Sequence, residues 1–172
     1  RGATDSWDIE VYGEESRPPY DRVALTSFFT VPDPDDLLLG DQDLWHTPGV
    51  RLHRNARVTQ IDREAKTVSV LGREVAYDEL VLATGSYATV PPVDGSDLPG
   101  CFVYRTVDDV AELRAWVNDR TRQLGRPLHG AVIGGGLLGL EAAGALRELG
   151  AECTVVEFAD HLMPVQVDAG GG

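Results

Sequence analysis

Gly134, Gly136 and Gly139 stand at G-x-G-x-x-G spacing, directly after a short apolar run (Ala131, Val132, Ile133) and directly before a helix-forming stretch. Such a pattern suits a pyrophosphate. Gly134 permits a tight strand-to-helix turn, Gly136 lets the backbone approach the phosphates, and Gly139 lets the helix pack closely on its strand. The N–H groups that open the helix at Leu137 and Leu138, at its positive dipole end, receive the anion. A second apolar run, Thr154 to Val156, ends in Glu157, twenty-three positions beyond Gly134. A carboxylate there accepts hydrogen bonds from both ribose hydroxyls and repels a 2′-phosphate, so NADH is expected over NADPH, with NADPH still possible.

A glycine-rich turn with no ligand is the competing reading, and a lone G-x-G-x-x-G would leave it standing. Here the strand before, the helix after and the terminal acid occur together, and together they favour a dinucleotide site.

The elements that must hold this loop are legible from period and punctuation. A helix is expected from Val107 to about Leu124, opened by a capping-box pattern at Thr106 and Asp109, with Val110, Leu113 and Val117 on one face. Gly125, Arg126 and Pro127 stop it. Ile9 to Gly13 reads as a strand ending in Glu14 and Glu15, Arg57 to Ile61 as another, and Thr67–Leu71 with Glu74–Tyr77 as a hairpin around Gly72. Leu80 to Ala83 reads as a buried apolar strand, and Cys101 to Tyr104 as a further short one. A Pro-stiffened loop from Ser16 to Leu25 leads to a short helical segment near Thr26–Phe29, then an acidic turn and helix start at Pro32–Asp36.

The strand ending in Glu14 looks like the second strand of a nucleotide fold, whose glycine loop belongs some 25 residues earlier. The chain is therefore expected to be a piece of a larger protein, with Arg1-Gly2-Ala3 the tail of a helix and Gly2 near its C-cap. Such a piece alone should hold a flavin poorly.

Composition narrows the partners. Asp and Glu outnumber Lys and Arg by 28 to 15, a net charge of −13, which disfavours nucleic acid and anionic membranes. Cys101 and Cys153 form no C-x-x-C pair, which suits a reducing cytoplasmic setting and provides no redox dithiol. His46, His53, His129 and His161 are scattered without metal-ligand spacing, so no metal site is expected. No apolar run is long enough for a signal core or a membrane span. Trp116 is expected to pack on the sheet, and Cys101 to be a small buried residue.

Several stretches carry a resemblance: Arg-Pro-Pro-Tyr-Asp-Arg-Val-Ala-Leu-Thr-Ser (17–27), Leu-Val-Leu-Ala-Thr-Gly-Ser-Tyr (80–87), Gly-Cys-Phe-Val-Tyr-Arg-Thr (100–106), Gly-Gly-Gly-Leu-Leu-Gly-Leu-Glu-Ala-Ala-Gly-Ala-Leu (134–146) and Leu-Met-Pro-Val-Gln-Val-Asp (162–168). Over essentially its whole length the chain resembles the N-terminal FAD and NAD(P)H domains of assimilatory nitrite reductase large subunits. Ferredoxin and rubredoxin reductases share the Ala-Thr-Gly element and both nucleotide folds.

The resemblance implies an α/β protein of two doubly wound, Rossmann-like domains, both incomplete: an FAD-binding part at 1–105 and the start of an NAD(P)H-binding part at 106–172. It places Glu14, with Glu15 as its neighbouring competitor, on the adenosine ribose of FAD. It sets Arg22 near the flavin, Val58 on the strand that meets adenine, and Ala83, Thr84 and Gly85 at the turn closing over FAD. Glu141 matches an acid at the nicotinamide end, while Ser27 stands where many relatives carry a lysine near the flavin. No side chain is expected to act as catalyst.

The implied reaction is hydride transfer from NADH to FAD. Downstream domains with sirohaem and 4Fe-4S centres, and in some cases a small subunit, would then reduce nitrite to ammonium. Two alternatives stay open: a stand-alone NADH-dependent reductase of a ferredoxin or rubredoxin, and a non-catalytic nucleotide-binding fragment.

Overall fold

The computed structural model describes residues 7–29, 33–40, 42–168, 170 and 171. Arg1–Ala3, expected as a helix end, lies outside them, as does Pro32 of the acidic turn. The chain divides into two compact units, one formed by residues 1–21 and 38–86, the other by 22–37 and 87–172. Residues 22–37 and 87–105 thus cluster with the second unit.

In the first unit, strand β1 (Ile9–Tyr12) pairs in parallel with β2 (Val50–His53), with Ile9 opposite Val50 and Tyr12 opposite His53. The sequence reading did not place β2, because four residues of Val-Arg-Leu-His carry too little alternation to stand out from a loop. Cross-strand neighbours tie the pair together: Arg51 Nε donates to Glu10 Oε1 at 2.7 Å, and His53 meets the other carboxylate oxygen of Glu10. The Arg51 guanidinium holds the Glu10 carboxyl below its ordinary range. Tyr12 stacks on His53 with ring centroids 4.7 Å apart.

Strands β3 (Val58–Asp62), β4 (Thr67–Val70) and β5 (Arg73–Ala76) form an antiparallel sheet in sequence order; the hairpin pattern predicts the β4–β5 pairing, and the fold adds that of β3 with β4. Leu71 and Gly72 turn β4 into β5 with φ of 50° and 73°, the left-handed pair that a two-residue hairpin loop uses. Val68 and Val70 are buried on one face.

The second unit holds α1 (Val107–Leu124), β6 (His129–Ile133), α2 (Leu137–Glu148) and β7 (Glu152–Val156). The expected capping box is formed in both directions: Asp109 N–H donates to Thr106 Oγ1 at 3.1 Å, and Thr106 N–H to Asp109 Oδ2 at 2.8 Å. Gly125 ends α1 in the left-handed region. β6 and β7 pair in parallel across α2, the βαβ unit expected from the sequence. Val117, Leu146 and Ala151 form a buried cluster, with Leu113, Leu128, Val132, Leu149 and Cys153 packed around it. The segment near Thr26–Phe29 is a 3-10 helix, Val23–Phe29, and the acidic turn continues as another, Pro34–Leu37.

Four expectations need correction. Leu80–Ala83 forms no strand among the described residues and is not buried, with Val81 87% and Leu82 65% exposed. A parallel strand gets both its ladder and its burial from neighbours, and none pairs with this segment. Cys101–Tyr104 likewise forms no strand among the described residues. Cys101 itself is exposed, its thiol 3.4 Å from the Gly95 carbonyl. Trp116 packs on Gly100 and edge-to-face on Phe102 rather than on a sheet.

Removing the cap hydroxyl by Thr106→Ala is expected to cost about 1 kcal/mol, measured as a shift in urea denaturation followed by helical circular dichroism. An unchanged midpoint would show that the box contributes nothing.

Candidate dinucleotide-binding site

The glycine loop is built as the spacing requires. β6 delivers the chain to Gly134, whose φ of 110° lies in a region that L side chains rarely adopt. A Cβ at position 139 would stand 1.9 Å from the Gly134 carbonyl oxygen and 2.9 Å from its carbonyl carbon. Only glycine fits there, because the obstruction is backbone and cannot rotate away.

Gly136 differs in kind. It is the N-cap of α2 with extended backbone, φ −76° and ψ −177°, and a Cβ there would meet nothing within 4 Å. No side chain caps this helix, and its first turn carries no acid. An uncapped N-terminus facing open space, led by exposed Leu137 and Leu138, is what an anionic ligand needs. The residues present therefore fit a pyrophosphate.

Glu157 sits at the end of β7 and grips the middle of the loop. Its Oε2 accepts from Gly135 N–H at 2.5 Å, and its Oε1 from Ala159 N–H at 2.9 Å. The Ala159 and Gly135 amides hold the carboxyl below its ordinary range, so it is ionised at neutral pH. Each oxygen has lone pairs left to accept a hydroxyl.

The sequence reading missed the other half of this grip. Residues after Glu157 fold back so that Met163 N–H donates to the Gly135 carbonyl at 2.9 Å, and the Leu162 side chain covers Gly135. His161 bonds Asp160 through Nδ1 at 2.6 Å. The Asp160 hydrogen bond pushes the His161 pKa up. A run such as Leu-Met-Pro-Val-Gln has no period or cap that announces a strap, so its role emerges only from the fold.

Glu141, one turn into α2, lies in a different group. Its Oε2 accepts from Thr26 Oγ1 at 3.4 Å, and Thr26 Oγ1 also meets the Tyr104 hydroxyl at 3.0 Å. Burial pushes the Tyr104 phenol up, while the Thr26 hydrogen bond opposes that push. Arg22, at the start of the same 3-10 helix, donates from Nη1 to the Arg105 carbonyl at 3.2 Å.

The remaining residues singled out from the sequence belong to the first unit. Glu14 follows β1, its side chain 46% exposed and its carboxylate 3.7 Å from Arg57 Nε. Glu15 accepts the Tyr20 hydroxyl at 2.7 Å. Val58 opens β3, half-buried, and Ala83, Thr84 and Gly85 lie exposed outside regular structure, Gly85 with φ of 64°.

Two outcomes check this geometry. Gly136→Ala, with backbone and space both available, should leave thermal stability nearly unchanged and weaken NAD⁺ binding by roughly tenfold or more, whereas Gly139→Ala should lose both. The second concerns pH. The folded Glu157 carboxyl titrates below its unfolded value, so its support of the loop is present above the ordinary glutamate range and is lost as pH falls through the folded value. The Gly135 amide resonance should therefore titrate with a midpoint below that of an ordinary glutamate; a midpoint at or above it contradicts the grip.

A family model described as pyridine nucleotide-disulphide oxidoreductase matches residues 2–170. The chain is 48% identical over 172 residues to the nitrite reductase [NAD(P)H] large subunit of Klebsiella oxytoca, covering 99% of this chain and 17% of that protein. It is 44% identical over 168 residues to the nitrite reductase (NADH) large subunit of Escherichia coli K12, covering 97% of this chain and 19% of that one. Among solved structures, a ferredoxin reductase from Rhodopseudomonas palustris superposes with a TM-score of 0.82 at 30% identity, covering 94% of this chain and 39% of the other. The chain thus spans less than a fifth of the length of these two nitrite reductase relatives. With the βαβ unit and its glycine loop in place, and the match running nearly end to end, this chain belongs to the pyridine nucleotide-disulphide oxidoreductase family.

Proposed function

We propose that the chain is the electron-input region of a nitrite reductase, where NADH delivers a hydride to FAD. The observation that carries this is the loop: an uncapped α2 N-terminus facing open space, with the Glu157 carboxylate beside it. Bound together, the nicotinamide and the flavin supply hydride transfer between them, and the protein contributes position and electrostatics. Leu137 and Leu138 N–H groups hold the pyrophosphate. Glu157 accepts the adenosine ribose hydroxyls and opposes a 2′-phosphate, which favours NADH.

For FAD, we assign the ribose to Glu14, with Glu15 its neighbouring competitor; Glu14 lies 3.7 Å from Arg57 Nε, and Glu15 accepts the Tyr20 hydroxyl. Val58 lines the adenine side, Ala83, Thr84 and Gly85 close over the flavin nucleotide, and Arg22 serves the flavin end. We divide the roles at residue 105, with flavin binding before it and NAD(P)H binding from 106 onward. Electrons then pass to sirohaem and 4Fe-4S centres in other domains, in a cytoplasmic protein. No described helix is long and apolar enough to cross a membrane.

Similarity to a ferredoxin reductase keeps a second reading in view, delivery of electrons to a small iron–sulfur carrier. One experiment separates the two. In the intact protein, anaerobic NADH should bleach the visible flavin band faster than NADPH does, Glu157→Gln should narrow that preference, and added nitrite should restore the band. Restoration by a ferredoxin but not by nitrite would favour the carrier, and no bleaching at all would reject both.

A further inference from the structure

Thr26 and Tyr104 have no part in the glycine loop, yet their hydroxyls end on Glu141 of its helix. The three groups come from three separate segments: the Val23–Phe29 3-10 helix, the irregular stretch before α1, and α2. All three residues are half-buried, where an unshared polar group is costly, so the arrangement has to be ordered.

Thr26 gives its one hydroxyl hydrogen to Glu141 Oε2, so towards Tyr104 it accepts, and the chain runs Tyr104 O–H to Thr26 Oγ1 and Thr26 O–H to Glu141 Oε2. Thr26 is thereby fixed as a donor to the carboxylate. The Tyr104 ring is fixed too, stacked near-parallel on Phe29 with centroids 6.2 Å apart. Arg114 reinforces the same helix by donating to the Phe28 carbonyl at 3.4 Å and lying over the Phe28 ring.

Placement says what the carboxylate serves. Gly139 faces β6, and Glu141, two residues on, is about 200° round the helix, on the side that meets the 3-10 helix. Glu157, at the end of β7, marks the adenosine side of a dinucleotide laid on this N-terminus. A dinucleotide laid this way would carry its nicotinamide half to the other side of the N-terminus, where Glu141 lies.

We infer that Thr26 and Tyr104 are positioning residues, whose hydroxyl chain holds the Glu141 carboxylate in place for the nicotinamide half of the dinucleotide. The inference rests on the proposed dinucleotide site. The 3.4 Å limb from Thr26 leaves Glu141 with lone pairs for a ligand donor such as a ribose hydroxyl or a carboxamide N–H.

Calorimetry on the intact protein, comparing NAD⁺ with ADP-ribose, tests the assignment, because ADP-ribose carries the adenosine and pyrophosphate but no nicotinamide. Thr26→Val should weaken NAD⁺ by about tenfold, the scale of one hydrogen bond to a charged group, and leave ADP-ribose nearly unchanged, while Thr26→Ser should restore NAD⁺. Tyr104→Phe, which keeps the ring stack, should show the same selectivity with a smaller loss. Parallel loss of both ligands in Thr26→Val and Tyr104→Phe would mark the chain as merely structural and overturn the inference. So would undiminished NAD⁺ affinity. Wild-type protein that binds neither ligand would instead overturn the dinucleotide site itself.

Discussion

The closeness of α2 to the turn that precedes it governs the second unit. At residue 139 the helix backbone runs so near the Gly134 carbonyl that no side chain can stand between them. That approach aims the helix N-terminus at the space beyond Gly136, and with it the dipole and the unshared N–H groups. A helix set one methyl group further away could still bury Leu146 over Gly130, but its end would no longer point at that space. Packing is thus the means by which anion binding is aimed.

Glu157 shows how one charge serves two purposes. Its carboxylate is held ionised by the Ala159 and Gly135 amides, and the bond from Gly135 N–H ties that peptide to the end of β7 before any nucleotide arrives. Met163 completes the arrangement from the carbonyl side. A preorganised loop loses less freedom on binding, which is where affinity is gained.

The polar chain from Tyr104 through Thr26 to Glu141 applies the same principle to the opposite side of α2. There a 3-10 helix takes the place of the strap, and hydroxyl groups replace amides as the fixing donors. Ser27 donates to the Ala24 carbonyl at 2.6 Å, and the neighbouring Thr26 donates to Glu141. A neutral donor orients a carboxylate without cancelling its charge.

By itself the sequence determined the elements whose instructions are local: the Thr106–Asp109 box and the helix it opens, the Leu71–Gly72 hairpin, and the strand, glycine loop and helix from Ala131 onward. Each depends on neighbours within a few residues, and period and punctuation record such neighbours. Tertiary structure alone decided the rest. It made a strand of Val50–His53 by giving it β1 as a partner, and left the more apolar Leu80–Ala83 unpaired and exposed. It also brought Met163 to Gly135 and Tyr104 to Thr26, 78 positions away. Ladder bonds and hydroxyl chains form between distant residues, and a partner far along the chain leaves no local trace of the pairing.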